Sequence, residues 1–331
     1  MPHAGNVTGE MLRRILAERQ GSFVSGEEIA GRMGISRAAV WKRVRALREE
    51  GFAIQGARGT GYRLTETPDR LSEADLRARV RTGGPWAAFA LLGETDSTNS
   101  RAMEMAENGA PHGTVVVADA QTGGRGRLGR RWISPPGKNL YVSLLLRPDV
   151  PPAGAPLLSL VAGVALADAL EAMGVPGTLK WPNDLFLGDR KAAGILAETA
   201  SDPDRVRHAV IGVGINVNME PEDFPPEISG RATSLRVRAG HAFPRAEVLA
   251  RFLDSFADRY GEFLAGGFAA LRDGWERRDF LRGRRVLLRR GRVEGWGVAE
   301  GVDPEGALRF RPDGAASADT VHSGEILEFV R

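Results

Sequence analysis

The sequence contains no cysteine, and this absence removes several classes of chemistry. Without cysteine the protein has no disulfide bonds, no thiol nucleophile and no thiolate metal site. The five histidines show none of the spacings typical of metal ligands. No apolar run reaches the ~18 residues that a membrane-spanning helix needs, and the N-terminal segment lacks the apolar core of a signal peptide. We therefore expect a soluble, cytoplasmic protein.

Lysine is almost as scarce as cysteine. Of the 45 basic residues only four are lysines, namely Lys42, Lys138, Lys180 and Lys191. An ammonium group acts as a compact point charge on phosphate or carboxylate oxygens, so a lysine in an arginine-rich chain can mark a place where a guanidinium does not suffice. The last two are the candidates here, with chance survival as the alternative, because Lys180 begins the segment Lys-Trp-Pro-Asn-Asp and Lys191 precedes Gly194.

Arginine and glycine are concentrated in one segment, residues 121–132, which we call the arginine–glycine loop. Within it, ten residues contain four glycines and four arginines, and Trp132 follows. Glycines let the backbone bend tightly and approach a ligand closely, while arginines supply forked donors that match carboxylates and phosphates. The segment predicts a cationic loop around an anionic small molecule; taken alone, a solvated basic loop is the alternative.

The positive charge is unevenly distributed along the chain. Residues 1–64 contain eleven basic residues and six glutamates, a net charge of +5, whereas the whole chain has a net charge of +3. A compact basic module at one end of a chain indicates a nucleic-acid partner.

The pattern within this basic segment predicts a winged helix-turn-helix. Residues 9–19 have helical spacing, Ser25 begins a second helix with Glu28 completing a capping box, and Ser36 begins a third. Two short strands joined by residues 56–60 then form the wing. The candidate DNA-contacting residues are Ser36, Arg37, Trp41, Lys42, Arg45 and Arg58, with Arg48 on the same helix face. For Trp41, packing is the alternative to base contact.

Two further regions follow a linker at residues 65–72. Residues 85–280 mix strands and helices, whereas the chain after Asp279 alternates short strands with turns, which favours a small β-barrel. The predicted strands of the first region are 88–92, 114–118, 140–146, 192–198 and 209–217. Its predicted helices are 97–108, 157–173, 246–265 and 268–279, and we expect residues 218–245 to form a surface loop.

The candidate ligand-binding motifs occur in a characteristic order. Asp-Ser-Thr-Asn at 96–99 precedes the arginine–glycine loop, and Lys-Trp-Pro-Asn-Asp at 180–184, Lys191 with Gly194, and Gly-Val-Gly-Ile-Asn at 212–216 follow it. This set resembles the bifunctional biotin–protein ligases that double as biotin-operon repressors. The resemblance covers nearly the whole chain, and its loop and Lys-Trp-Pro-Asn-Asp motif are highly specific.

The resemblance implies a three-part α+β fold. Residues 1–66 would form the winged helix-turn-helix DNA-binding domain, residues 67–280 a mixed-sheet α/β ligase domain similar to class II synthetases and lipoate ligases, and residues 281–331 an SH3-like β-barrel.

The resemblance also implies an ATP-dependent biotin–[acetyl-CoA-carboxylase] ligase. Such an enzyme makes biotinyl-5′-AMP with Mg²⁺ and transfers biotin to a lysine of a biotin carboxyl carrier protein. Lys191 and Arg127 would be catalytic, and Asp184 would bind the metal. The implied biotin-binding residues are Ser97, Thr98, Asn99, Gln121, Gly124, Arg125, Gly126, Arg127, Lys191 and Gly194. The implied nucleotide-binding residues are Trp132, which would cover the adenine, and Lys180, Asp184 and Asn216.

The implied partners are the carrier protein, operator DNA and, in a ligand-dependent homodimer, a second copy of the chain; no membrane is expected. Two alternatives differ in function. In one, the chain is a transcription regulator whose central domain only senses a ligand; in the other, it is a lipoate or octanoate ligase. The complete set of lysines and arginines disfavours the sensor, and the winged helix and the arginine–glycine loop disfavour the lipoate ligase.

Overall fold

The computed structural model describes residues 4–19, 21–49, 52–66 and 69–330, in two compact units divided between Arg70 and Leu71. The helices are α1 (Ala4–Glu18), α2 (Gly26–Met33), α3 (Arg37–Glu49), α4 (Glu73–Arg79), α5 (Thr98–Glu107), α6 (Leu157–Ala172), α7 (Pro226–Ser229), α8 (Leu235–Ala239), α9 (Arg245–Gly266) and α10 (Arg272–Glu276). The strands are β1 (Ala53–Ala57), β2 (Gly61–Glu66), β3 (Ala88–Thr95), β4 (Thr114–Gln121), β5 (Leu140–Leu146), β6 (Thr178–Lys180), β7 (Asp184–Leu187), β8 (Arg190–Ser201), β9 (Val206–Ile215), β10 (Arg285–Arg290), β11 (Val293–Val302), β12 (Leu308–Pro312), β13 (Asp319–Val321) and β14 (Glu325–Val330).

The N-terminal unit is the predicted helix-turn-helix followed by a β1–β2 hairpin. Ser25 begins α2 by accepting a hydrogen bond from the Glu28 backbone N–H (3.0 Å), and Gly34 ends it in the left-handed conformation (φ 64°). The predicted capping box forms only on its serine side. The carboxylate of Glu28 instead pairs with Arg19 (3.1 Å), because a charged guanidinium is a stronger donor than a backbone N–H.

The C-terminal unit is built on a mixed sheet with the strand order β3-β4-β5-β9-β8-β7-β6, in which only β3 and β4 are parallel. Alternate residues of a strand point to opposite faces. Val115 and Val117 therefore join the main core with α6 and α9, while Val116 packs with Ala102 and Ala106 of α5 on the other face.

Helix α6 is apolar all round, which is typical of a helix buried inside a domain. The stretch Pro152–Ala172 is long and apolar enough to cross a membrane by length and composition alone, and 67% of its apolar window is buried inside the protein. It packs between α9 and the sheet, so we interpret it as the central core helix.

The C-terminal strands form an antiparallel sheet with the order β13-β12-β11-β10-β14. Strands β13 and β14 lie at opposite edges without pairing, so the sheet is open and the predicted SH3-like barrel is not confirmed. Leu288, Ala299 and Phe310 nevertheless belong to the same core as the mixed sheet. This sheet therefore packs directly on the central part of the unit.

Some of the sequence-based boundaries were wrong. The helix predicted at 268–279 is a 3₁₀ turn, Phe268–Leu271, followed by α10, because Leu271 (ψ −6°) departs from regular α geometry. Strands β6, β7 and β13 were not predicted, since each is only three or four residues long. The predicted linker at 65–72 overlaps the end of β2 and the serine that begins α4.

Candidate functional site

A cavity of about 750 Å³ lies in the C-terminal unit. Its walls come from the start of α5, the arginine–glycine loop, the β6–β7 turn, β8, β9, the connection after β9, and β14. All but one of the predicted ligand-site residues line it, namely Ser97, Thr98, Asn99, Gln121, Arg125, Gly126, Arg127, Trp132, Lys180, Asp184, Lys191, Gly194 and Asn216. The fold thus brings motifs that are distant in the sequence into one site.

Gly124 is the exception, since it shapes the loop from behind the cavity. A Cβ atom at this position would lie 2.6 Å from the Trp132 carbonyl oxygen and 2.7 Å from Ser134 Oγ. The backbone N–H of Trp132 donates to the Gly124 carbonyl (2.9 Å) across the same contact. Glycine is therefore required here for the two arms of the loop to pair.

One end of the cavity is a recess of neutral polar groups. The Thr98 backbone N–H donates to Gln121 Oε1 (2.8 Å), and the amide of Gln121 donates to Ser134 Oγ (3.0 Å). Ser143 Oγ lies 2.6 Å from Asn99 Oδ1 and 2.8 Å from Thr98 Oγ1. Ser143 was not identified from the sequence, because it lies in an apolar strand without any motif around it. These groups can bind a ligand that is polar but uncharged.

The Lys-Trp-Pro-Asn-Asp motif is the turn between β6 and β7, with a cis peptide bond between Trp181 and Pro182. Trp181 is buried and its indole N–H donates to the Gly306 carbonyl (3.2 Å), so this side chain supports the fold. Asn183 donates from Nδ2 to the Ile195 carbonyl (2.7 Å). The turn thereby fixes Lys180 and Asp184 at the cavity wall.

The other end of the cavity is cationic. Lys191 Nζ lies 2.5 Å from Asp184 Oδ1 and 5.5 Å from the centroid of the Trp132 ring. Burial lowers the pKa of Lys180 and of Arg127, in both cases against the opposing effect of Asp184. Three cations facing one carboxylate leave a net positive charge in a partly buried site, and such a charge attracts anions.

Trp132 occupies a place that glycines leave open. A Cβ atom on Gly214 would lie 2.5 Å from Trp132 Nε1, and one on Gly194 would lie 3.0 Å from Trp132 Cζ3. The indole therefore packs against the backbones of β8 and β9, and its buried N–H has no hydrogen-bond partner among the residues that the structure describes. Asn216, at the end of β9, donates from Nδ2 to the Thr233 carbonyl (3.0 Å) and also faces the cavity.

The connection after β9 closes one wall of the cavity, which the sequence did not predict. Lys138, to which the sequence assigned no role, places Nζ 2.5 Å from both carboxylate oxygens of Asp223 and lowers its pKa. Further along, the Lys191 N–H donates to the Arg231 carbonyl (2.8 Å). Phe224 and Ile228 line the cavity between these anchor points. The predicted surface loop is therefore part of the site.

The C-terminal sheet forms another wall. Arg127 Nη2 donates to the Gly324 carbonyl (3.2 Å), and Lys180 Nζ donates to the Ile326 carbonyl (3.2 Å). Glu325 forms an ion pair with Arg130 of the arginine–glycine loop. The sequence contains no local signal for these contacts.

The N-terminal unit exposes the predicted DNA-contacting residues, which are Ser36, Arg37, Trp41, Lys42, Arg45 and Arg58. Trp41 is 51% exposed, so it does not serve as a core residue. Arg48 behaves differently from the others. Its guanidinium donates two hydrogen bonds to the Ile54 carbonyl (2.9 and 2.7 Å) and so ties α3 to the first strand of the hairpin.

Comparison with known proteins agrees with both parts of this arrangement. Residues 92–216 match the model of the Biotin/lipoate A/B protein ligase family, and residues 10–63 match a helix-turn-helix domain. The "Bifunctional ligase/repressor BirA" of Bacillus subtilis is 40% identical over 90% of this chain and 92% of its own length. The "Biotin--[acetyl-CoA-carboxylase] ligase" of Paracoccus denitrificans is 35% identical over 71% of this chain and 98% of its own length.

A solved structure shares the fold of the C-terminal unit. It is the biotin protein ligase of Aquifex aeolicus in complex with biotin and ATP, with a TM-score of 0.64 and 33% identity over 74% of this chain and 99% of that chain. Together with the cavity and the N-terminal helix-turn-helix, these similarities show that the chain belongs to the biotin–protein ligase family, in the group that carries an N-terminal DNA-binding domain.

Proposed function

We propose that this ligase activates biotin with ATP to biotinyl-5′-AMP and then transfers the biotinyl group to a lysine of a biotin carboxyl carrier protein. The observation that carries the proposal is the cavity itself, which joins a neutral polar recess to a desolvated cationic end. Biotin has the same two parts, a neutral polar ring and a carboxylate. The proposal assigns the recess to the ring and the cationic end to the carboxylate and the ATP phosphates.

The cations address the main barrier to the first step. When the biotin carboxylate attacks the α-phosphate, two anions approach each other, and pyrophosphate leaves. Fixed positive charges that already point at this position lower the barrier without reorganising. Lys191 and Arg127 are the residues to which we assign this role, and Lys180 is placed to bind the phosphates of ATP.

The second step requires that water be kept from the adenylate, because water hydrolyses it. The arginine–glycine loop, Trp132 and the connection after β9 form walls that would cover a bound adenylate and exclude water. Ordering a loop with four glycines costs conformational entropy, so ligand contacts have to supply the compensating free energy.

The site fits a Mg²⁺ ion only with help from the nucleotide. The residues that the structure describes contain no group of three histidine, aspartate or glutamate side chains able to hold a metal. Asp184 offers one carboxylate, whose Oδ1 is ion-paired with Lys191 Nζ at 2.5 Å. Mg²⁺ commonly takes one or two carboxylates and completes its shell with phosphate oxygens and water. Asp184 would therefore hold a Mg²⁺ that enters with ATP and neutralises its phosphates.

A biotin-dependent exchange of pyrophosphate into ATP tests the activity directly. We expect the full chain to catalyse this exchange with biotin, and we expect lipoate and octanoate to compete poorly. Absence of biotin-dependent exchange would favour the alternative in which the central domain only senses a ligand. Exchange that prefers lipoate would identify a lipoate ligase instead.

The domain boundaries at residues 66 and 280 are part of this proposal, as is an SH3-like module at residues 281–331. The change from helices to short antiparallel strands after Asp279 supports the second boundary. The chemistry would take place in the cytoplasm, where ATP is available.

Deleting residues 1–64 should leave adenylate synthesis in place. All the residues that line the cavity lie in the C-terminal unit, from Ser97 onwards. We expect the exchange rate of the folded, truncated protein to stay within roughly tenfold of the full chain, the range allowed by a modest coupling between domains. Circular dichroism would verify folding, and complete loss of exchange in a folded variant would contradict the prediction.

We further propose that the N-terminal unit binds a palindromic operator of biotin genes as part of a ligand-dependent dimer. One winged helix with a net charge of +5 makes few phosphate contacts, so a monomer should bind weakly and with strong salt dependence. On a dimer, the second contact becomes intramolecular and the affinity rises.

Operator binding should therefore respond to biotin and ATP together. If the adenylate orders the arginine–glycine loop and completes a dimer surface, dimerisation should gain ~1–3 kcal/mol. Sedimentation and operator-binding measurements with and without both substrates would test this. An unchanged mass and DNA affinity would show that the helix-turn-helix is not regulated by the ligase domain.

A further inference from the structure

Glu198 connects two parts of the site without lining the cavity. Its Oε2 atom accepts hydrogen bonds from Asn99 Nδ2 (2.7 Å) and from Arg125 Nη2 (3.0 Å). Asn99 lies in the first turn of α5 and is only 4% exposed, whereas Arg125 belongs to the arginine–glycine loop. Glu198 extends from β8, far from both in the sequence. One carboxylate oxygen thus links the polar recess to the loop.

These contacts determine which way the Asn99 amide faces. Its Nδ2 donates to Glu198 and also to the Leu196 carbonyl (3.1 Å). A backbone carbonyl and an ionised carboxylate can only accept hydrogen bonds. Both amide protons are therefore used, and Asn99 Oδ1 must point away from Glu198. Ser143 Oγ, 2.6 Å away, occupies one lone pair of this oxygen. The amide can offer a ligand only an acceptor.

The acceptor lies at the cavity surface. A Cβ atom on Gly212 would lie 2.1 Å from Asn99 Oδ1, so the oxygen occupies the space beside a cavity-lining glycine. Thr98 contributes a second acceptor, because its hydroxyl donates to Gln121 Oε1 (3.2 Å) and accepts from Ser143 Oγ (2.8 Å), which leaves one of its two lone pairs for a ligand. This end of the cavity is thus arranged to accept hydrogen bonds from N–H groups.

We propose that Glu198 is a positioning residue that makes this recess selective for a ring bearing N–H donors. The inference rests on the proposed function, in which the recess binds the ureido ring of biotin. By holding the Asn99 oxygen toward the ligand, Glu198 favours biotin over acyl groups that carry no N–H, such as octanoyl and lipoyl chains. A ligand without such donors leaves the buried acceptors unpaired, and a polar site rejects it for that reason.

Two substitutions separate this role from a general structural one. Glu198→Ala removes the charged partner of Asn99 and leaves its amide orientation to the Leu196 carbonyl and Ser143 alone, and Glu198→Gln keeps the shape but can present either an acceptor or a donor to the amide. The matched control is Glu104→Gln, which removes another glutamate that is paired with an arginine. Glu104 lies on α5, its carboxylate is 2.5 Å from the guanidinium of Arg101, and both side chains are exposed. The assay is biotin-dependent pyrophosphate exchange by the full chain, with octanoate as the competing acid.

For Glu198→Ala we expect the KM for biotin to rise roughly 10- to 100-fold, since a ligand hydrogen bond to a buried acceptor is lost. The kcat at saturating biotin and the KM for ATP should stay near the wild-type values, and the preference for biotin over octanoate should fall. The Glu198→Gln variant should have a KM for biotin between those of the wild type and Glu198→Ala, with an unchanged Tm. If the alanine variant does not fold, the glutamine variant provides the test. Adding Glu198→Ala to Asn99→Ala should have little further effect, because the two residues act in one chain of contacts.

An unchanged KM for biotin in both variants would overturn the inference. A fall in kcat together with a comparable rise in the KM for ATP would also overturn it, because that result would indicate a general structural role. If the wild-type protein shows no biotin-dependent exchange at all, the proposed function fails first, and that result is distinct from a normal wild type with unaffected variants.

Discussion

Replacing Lys191 with alanine is expected to slow adenylate formation roughly 100-fold or more. Removing one preorganised charge from a transition state that develops negative charge costs about this much in other enzymes. Here the loss has a second component. Asp184, whose side chain is only 17% exposed and lies 2.5 Å from Lys191 Nζ, would be left without its ion pair and would repel the incoming phosphates.

Single-turnover formation of biotinyl-5′-AMP is the appropriate measurement, because it separates chemistry from product release. Arg190→Ala is the matched control, since Arg190 is exposed at the preceding position of β8 and does not line the cavity. Lys191→Arg should recover only part of the rate, as the space between Trp132 and Gly194 is narrow. An unchanged rate in Lys191→Ala, with a normal Tm, would exclude Lys191 from the mechanism.

Replacing Arg127 with glycine should slow adenylate formation, as its proposed charge role requires, and should in addition leave the adenylate that does form poorly retained. Arg127 donates to the Gly324 carbonyl (3.2 Å) and lies near Asn183 Oδ1 (3.5 Å), so it connects the loop to two walls of the cavity. Each lost hydrogen bond from a charged group is worth ~1.5–3 kcal/mol, and the added glycine makes closure entropically costlier. We expect release of biotinyl-5′-AMP to become roughly 10- to 100-fold faster.

Released adenylate acylates lysines without regard to the carrier domain, so the variant should biotinylate unrelated proteins added to the reaction. Stopped-flow release and labelling of a non-substrate protein would measure the two effects. The Arg127→Ala variant separates loss of the side chain from the added backbone freedom of glycine. We expect this variant to release biotinyl-5′-AMP more slowly than Arg127→Gly does. Tight retention of the adenylate by Arg127→Gly would contradict this role for the loop.

Much of the candidate site could be predicted because its residues occur in local motifs. The arginine–glycine loop, the turn at 180–184 and the glycines at 212 and 214 encode backbone conformations and charges that depend on neighbours in the sequence. Segments such as Leu140–Leu146 were predicted with the correct bounds for a similar reason, since a continuous apolar run is itself the signal for a buried strand. The family followed from the order of these motifs.

The remaining parts of the site depend on pairs of residues that are distant in the sequence. Asn99 and Glu198 are 99 positions apart, Lys138 and Asp223 are 85 apart, and Arg127 and Gly324 are 197 apart. No local sequence pattern predicts such a pair, because each partner alone resembles an ordinary surface residue. The open edge of the C-terminal sheet is another example, since strand patterns predict strands but not which edges pair.

The sequence by itself thus already determined the chemical character of the site. The reason is that the charge of an arginine or lysine and the backbone freedom of a glycine are properties of the residue and its near neighbours. The orientation of the Asn99 amide, the wall formed by residues 219–232 and the contribution of β14 to the cavity depend on how the chain folds back on itself. These features arise from packing and from hydrogen bonds between separate elements, and only the tertiary structure brings such groups within bonding distance.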